Sequence, residues 1–185
     1  MLDISKMLSS KSGTQGADCD GGVMDEPKLR EIAKEHLSKE FAGYRFHMPF
    51  EIFHGKGPLT KHLRDKFCGE DLTSIPNYNK ASVEPDIAGI VFSNISNRKL
   101  WIIAEVKGEK TISQGDRRQA IDYANATHAF RAFLISDSQL GQDIKKDIQN
   151  GLHKYTGMFE NGQEGNSFLV FIRYLERTGE FVANR

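Results

Sequence analysis

The chain has 185 residues, 38% hydrophobic and 27% charged, a composition typical of one globular domain with a sizeable core. Basic and acidic residues are equal in number, 25 of each, which argues against a wholly basic surface that binds polyanions nonspecifically. No apolar stretch reaches the length of a membrane span and no signal-peptide layout is present, so an intracellular, cytoplasmic protein without a membrane partner is expected.

The N-terminal part of the chain predicts an arm followed by a helix. Residues 1–23 are rich in Ser, Gly and Asp and predict a flexible arm, so the single domain is expected over residues 24–185. Asp25 suits a helix N-cap and Pro27 suits the first turn. Apolar residues at helical spacing continue the helix until Gly43, and they are Leu29, Ile32, Ala33, Leu37 and Phe41.

The middle of the chain predicts strands and a hairpin. Apolar and polar residues alternate loosely over residues 44–54, which predicts a strand. Residues 55–80 are predicted to form a long connection with a short helix near residues 60–67. Residues 86–92 and 99–106 are predicted strands, and the Asn- and Ser-rich turn between them indicates a hairpin.

The remaining elements alternate between helices and strands. Ser113 and Asp116 have capping-box spacing, which predicts a helix to about Thr127. Further elements are expected as a buried strand at 132–135, a helix at 143–154, a strand at 168–174 and an edge strand at 180–183. A hairpin followed by strand, helix and strand predicts an α/β fold, a mixed β-sheet flanked by α-helices in a single domain.

Two short clusters carry candidate catalytic chemistry. Asp86 begins one hairpin strand, whereas Glu105 and Lys107 end the other and point to the same face because strand side chains alternate. Asp86 and Glu105 are hard oxygen ligands suited to Mg²⁺ or Mn²⁺, and the carbonyl of Val106 is a further candidate ligand. Such an ion polarises a phosphodiester and activates a water, while Lys107 orients that water or stabilises charge on the phosphate.

A second reading of these clusters is purely structural. Asp is common before a strand, and Glu-x-Lys on a strand is often a surface ion pair. The helix that follows adds Gln119 and Tyr123, four residues apart on one face, which could contact a water, a phosphate or a base. Each element alone favours the structural reading, and their order and spacing together favour a catalytic site.

Glu84-Pro85-Asp86, then Ala104 to Lys107, then Gln119 to Ala124 resemble the PD-(D/E)xK nuclease superfamily. The third segment is similar to the Gln-x-x-x-Tyr motif of RecB-like nucleases and of type I restriction nuclease domains. The resemblance implies a restriction-endonuclease-like fold and Mg²⁺-dependent cleavage of DNA. It assigns metal binding to Asp86 and Glu105 and a catalytic role to Lys107, Gln119 and Tyr123.

The resemblance leaves several points open. Many members carry a glutamate on the first helix, and either Glu26 or Glu31 could match it. Many cut both strands as dimers, so a homodimer is possible. The alternative function is a catalytically silent module with the nuclease fold that binds DNA or a protein, and RNA is a weaker alternative substrate. Two locally basic stretches, residues 56–66 and 98–118, are the candidate nucleic-acid contacts.

Overall fold

A computed structural model describes residues 24–68, 72–108 and 111–183. Within these ranges no helix is both long and apolar enough to cross a lipid bilayer. The arm predicted at residues 1–23 lies outside the described residues. The elements in chain order are α1 (Glu26–Glu40), β1 (Phe46–Ile52), α2 (Leu59–Lys66), a 3-10 helix (Leu72–Ser74), β2 (Ile87–Phe92), β3 (Lys99–Lys107), α3 (Gln114–Thr127), β4 (Arg131–Ser136), α4 (Gln142–Gln149), β5 (Lys154–Met158), β6 (Glu164–Phe168), β7 (Val170–Leu175) and β8 (Glu180–Ala183).

Six strands form one mixed sheet in the order β1-β2-β3-β4-β7-β8. The pairs β1–β2, β2–β3 and β7–β8 are antiparallel. The pairs β3–β4 and β4–β7 are parallel, with α3 connecting β3 to β4. The predicted α/β fold, a mixed sheet flanked by helices in a single domain, is confirmed, and so is the β2–β3 hairpin.

The two faces of the sheet pack against different helices. On β3 the even-numbered residues from Leu100 to Val106 lie in a hydrophobic cluster with α1. Trp101 and Ile103 point the other way, into a cluster that contains residues of α2, α3 and α4. This alternation decides which helices surround each polar residue at the end of β3.

The helix starts predicted at Asp25 and at Ser113 are both confirmed. Asp25 is the N-cap residue of α1, although its side chain makes no capping hydrogen bond. At α3 the capping box is complete, because Ser113 Oγ accepts from the Asp116 N–H at 3.2 Å and Asp116 Oδ2 accepts from the Ser113 N–H at 2.9 Å. The carboxylate of Asp116 is thereby held at the N-terminus of α3.

The C-terminal part of the chain differs from the prediction in two places. The helix predicted to Lys154 ends at Gln149, and Lys154 begins β5 instead. The strand predicted at 168–174 is divided, since Phe168 ends β6 and Val170 begins β7. The β5–β6 hairpin was missed because its residues, rich in Gly and small polar side chains, have low intrinsic strand propensity.

Candidate active site

The register of the hairpin brings Asp86 and Glu105 together. Ile87 pairs with Ala104 in the antiparallel ladder, so Asp86, one residue earlier, lies opposite Glu105. Glu105 and Lys107 continue the face of Trp101 and Ile103, at the carboxyl end of β3. Both carboxylates are buried, with 3% and 4% of their residue surfaces exposed.

The carboxylate of Asp86 is held from three directions. Arg30 Nε of α1 donates to Asp86 Oδ1 at 2.8 Å, and His54 Nδ1 lies 3.3 Å from the same oxygen. The Val106 N–H donates to Asp86 Oδ2 at 2.8 Å. The last bond also brings the backbone of Val106 beside Asp86.

Glu105 is only half satisfied. Lys107 Nζ donates to Glu105 Oε1 at 2.7 Å, whereas the buried Oε2 has no hydrogen-bond partner. Burial and then the charge of Asp86 raise the pKa of Glu105 from 4.5 to about 7, against the opposing effects of Lys107 and of a backbone hydrogen bond from Asp86. A buried acceptor without a donor is costly, and a bound cation is one way in which that cost could be offset.

Lys107 is held in its protonated form. Burial alone would lower the pKa of Lys107, but the hydrogen bond to Glu105 and the charges of Glu105, Asp86 and Asp116 outweigh it and raise that pKa. A lysine with a raised pKa is a poor general base and a good fixed positive charge. The geometry therefore favours charge stabilisation or positioning as the role of this side chain.

The two glutamates that the sequence left open occupy different environments. Glu26, in the first turn of α1, forms an ion pair with Arg30 and accepts a hydrogen bond from the Gly108 N–H at 3.3 Å. Glu31 pairs with Lys34, and its side chain is 59% exposed. The structure therefore places Glu26, and not Glu31, beside the carboxylates at the end of β3.

Gly108 permits this close approach, and its substitution by Ala is expected to disturb it. A Cβ at Gly108 would lie 2.8 Å from the Met24 carbonyl oxygen and 3.0 Å from Glu26 Cα, so the start of α1 would have to move. We expect Gly108→Ala to cost about 1–3 kcal/mol of stability, the usual range for overpacking. Urea denaturation measures this cost. Gly115→Ala is the matched control, since a Cβ there meets only Ser113 Oγ at 3.5 Å; an equal loss in both variants would contradict the expectation.

Gln119 and Tyr123 contact each other. Gln119 Nε2 donates to Tyr123 Oη at 2.9 Å, and within the described ranges neither side chain hydrogen-bonds to Asp86, Glu105 or Lys107. Asp116 lies three residues before Gln119 on the same helical face, and its charge acts on Lys107. Gln119 and Tyr123 thus lie further along α3 than Asp116. In the described part of the structure they are not hydrogen-bonded to the carboxylates or to Lys107.

Two residues at the site were missed by sequence reasoning. Arg30 is buried with 6% of its surface exposed, and the only sequence signal was its i, i+4 spacing from Glu26. His54 follows β1, where the Phe53 N–H donates to the Asp86 carbonyl at 2.8 Å. Its position depends on the β1–β2 pairing, which local sequence does not reveal.

The predicted basic stretches are distributed unevenly around the site. Lys56, Lys61 and Arg64 are exposed, and we call them the basic surface. The start of α2 binds the chain that leads to Asp86, through hydrogen bonds from Leu59 and Thr60 to the carbonyls of Val83 and Ala81. The basic surface therefore belongs to a segment that packs against the chain leading to Asp86.

The second stretch does not form one patch. Lys99 and Lys107 are eight residues apart on β3 (107 − 99 = 8), a separation of roughly 26 Å along an extended strand. Arg117 pairs with Asp147 at 3.3 Å. Among the described residues of this stretch, Lys107 is the basic side chain that contacts a carboxylate of the site, Glu105.

The oxygen atoms at this site supply part of the ligand set of a hard divalent ion such as Mg²⁺. Glu105 Oε2 is a buried carboxylate oxygen without a hydrogen-bond partner, and Asp86 and the Val106 carbonyl are the other candidate ligands. Across the described residues, no group of three or more His, Cys, Asp or Glu side chains is already arranged as a metal site. Two carboxylates with waters and a substrate phosphate are a usual set for Mg²⁺, which keeps several waters.

Comparison with known proteins adds no relative. No protein-family model matches the chain. Neither curated proteins nor solved structures give a significant match. The functional inference accordingly depends on the geometry and on the resemblance of the motifs.

Proposed function

We propose that this protein is a metal-dependent deoxyribonuclease of the PD-(D/E)xK type that hydrolyses phosphodiester bonds. The observation that carries the proposal is the convergence of Asp86, Glu105 and Lys107 at one end of β3, with Glu105 Oε2 buried and unpaired. Buried polar atoms without a hydrogen-bond partner are uncommon in folded proteins, and a bound cation would account for the one at Glu105. The raised pKa of Glu105, to about 7, is also typical of functional sites.

Each residue has a distinct task in this proposal. Asp86 and Glu105, with the Val106 carbonyl, would hold Mg²⁺ or Mn²⁺, which when bound polarises the phosphate and acidifies a water. Lys107 keeps its proton and places a positive charge where negative charge develops on the phosphate. Gln119 and Tyr123 offer amide and hydroxyl groups further along α3 for substrate contacts. The basic surface of Lys56, Lys61 and Arg64 would attract the negatively charged phosphate backbone of DNA.

The test is a nuclease panel with Lys107→Gln as the decisive variant. Linear, circular, single-stranded and branched DNA and RNA are incubated with the full chain in EDTA, Mg²⁺ or Mn²⁺. We expect divalent-ion-dependent cleavage of a DNA substrate, reduced about 10²–10³-fold in Lys107→Gln, the usual effect of losing one transition-state donor. Lys99→Gln, at the other end of the same strand, is the matched control and is expected to retain activity. Equal trace activity in wild type and Lys107→Gln on every substrate would overturn the proposal.

A catalytically silent module is the second candidate, favoured by one specific observation. Both oxygens of Asp86 already accept hydrogen bonds from the protein itself. In a silent module this arrangement would be permanent, and neither Mg²⁺ nor Mn²⁺ would bind. Calorimetric titration of wild type with MnCl₂ separates the two candidates, because binding that is lost in Glu105→Gln supports the nuclease.

A further inference from the structure

Arg30 is bound to an oxygen of Asp86, which is one of the two candidate metal-binding carboxylates. Its guanidinium donates to Asp86 Oδ1 through Nε and forms an ion pair with Glu26 through Nη2. The side chains of Arg30 and Asp86 are 7% and 4% exposed, so this is a buried ion pair between α1 and the start of β2. A planar guanidinium that bridges two carboxylates holds them in a defined geometry.

The contacts of the carboxylates show why this bridge matters. Glu105 Oε1 accepts from Lys107, and Asp86 Oδ2 accepts from the Val106 N–H. Asp86 Oδ1 is the oxygen that Arg30 holds, and His54 Nδ1 lies 3.3 Å from it. An ion that Glu105 and Asp86 share would therefore compete with the guanidinium of Arg30 for Asp86.

A divalent ion and Arg30 are like charges that compete for Asp86. Arg30 Nε lies 2.8 Å from Asp86 Oδ1, so an ion bound to this carboxylate would have the guanidinium close beside it. Both side chains are buried, where like charges repel more strongly than in water, and withdrawal of Arg30 to solvent removes that repulsion.

We propose that Arg30 is a positioning residue that acts as an exchangeable counter-cation: it holds Asp86 and Glu26 in the metal-free protein and releases Asp86 when a divalent ion binds. This inference rests on the proposed metal-dependent nuclease. Metal binding is then weakened by the free energy needed to open a buried ion pair. Arg30 also reduces the repulsion between the carboxylates of Asp86 and Glu26 while no ion is bound.

The test compares the affinity of the full chain for Mn²⁺ in wild type, Arg30→Met and Arg30→Lys. Arg30→Met keeps most of the apolar stem and removes the charge, so Mn²⁺ should bind at least about tenfold more tightly by calorimetry. Arg30→Lys keeps the charge but loses the fork of donors, and its affinity should fall between the other two. Lys34→Met, on the same helix and in an ion pair with Glu31, is the control and should match wild type.

Thermal unfolding supplies a second readout. In EDTA, Arg30→Met should be less stable than wild type, and saturating Mn²⁺ should raise its melting temperature by more than it raises that of wild type. If Arg30→Met does not fold in EDTA, Arg30→Lys carries the comparison. A merely structural role for Arg30 predicts the opposite sign, since a disordered Asp86 would bind Mn²⁺ more weakly.

The outcomes distinguish the two proposals. Equal or weaker Mn²⁺ affinity in the folded Arg30 variants, with metal-dependent DNA cleavage by wild type, overturns the counter-cation role and leaves the nuclease in place. No Mn²⁺ binding by any variant and no cleavage overturns both. Tighter binding in Arg30→Met, with Lys34→Met unchanged, supports the exchange.

Discussion

Glu105→Gln is expected to abolish metal-dependent DNA cleavage and, at the same time, to make the metal-free protein more stable above pH 7. Loss of an anionic metal ligand should reduce cleavage by about 10³-fold or more, since several kcal/mol of charge stabilisation are removed. The stability gain follows from the buried position of the carboxylate. Its pKa is raised to about 7 in the folded protein because burial and Asp86 disfavour the ionised form.

The direction of the pH dependence follows from that shift. An unfolded chain ionises Glu105 near its ordinary value of 4.5, whereas the folded protein keeps the proton until about pH 7. The contribution of this group to stability is therefore complete below about pH 4.5 and is lost as the pH rises to about 7. The loss is on the order of 3 kcal/mol, and Gln, which does not ionise, should remove it.

Urea denaturation in EDTA at pH 5, 7 and 8.5 measures this effect. Wild type should lose stability over the range, and Glu105→Gln should lose less. Glu31→Gln is the control, because Glu31 is exposed and forms an ion pair with Lys34 on the same helix. The same pH slope in wild type and Glu105→Gln would contradict the assigned burial. Mn²⁺ affinity of wild type should rise as the pH passes 7, since the ion competes with the proton on Glu105.

Asp86→Ala should be the most destabilising single change at the site. It leaves the Arg30 guanidinium buried with its Nε–H unpaired and removes the acceptor of the Val106 N–H. Breaking a buried ion pair from one side costs about 3–5 kcal/mol. Asp86→Asn keeps an acceptor and should cost less, which makes it the better variant for testing activity.

Denaturation at pH 7 separates these contributions. Asp86→Ala, Asp86→Asn and the double variant Asp86→Ala with Arg30→Met are compared with wild type. Removal of both partners should recover part of the loss, because no uncompensated charge remains in the interior. Purely additive losses in the double variant would mean that Arg30 and Asp86 are not coupled.

Local sequence patterns were enough to predict much of this fold. The Ser113–Asp116 capping box, the start of α1 at Asp25 and the β2–β3 hairpin all depend on residues close in the chain. The juxtaposition of Asp86 and Glu105 followed from the hairpin, since antiparallel register is set by the short connection. The β5–β6 hairpin did not follow, because its polar, Gly-containing strands form through tertiary packing and not through propensity.

Only tertiary contacts determine which charged side chains surround the carboxylates of the candidate site. The sequence named Asp86, Glu105 and Lys107, but it could not choose Glu26 over Glu31 or include Arg30 and His54. Those choices depend on how α1 and β1 dock on the sheet, and docking places Arg30 Nε 2.8 Å from a carboxylate 56 residues away in the chain. Periodicity shows which residues share a face, whereas desolvation and charge balance arise only when the faces are packed together.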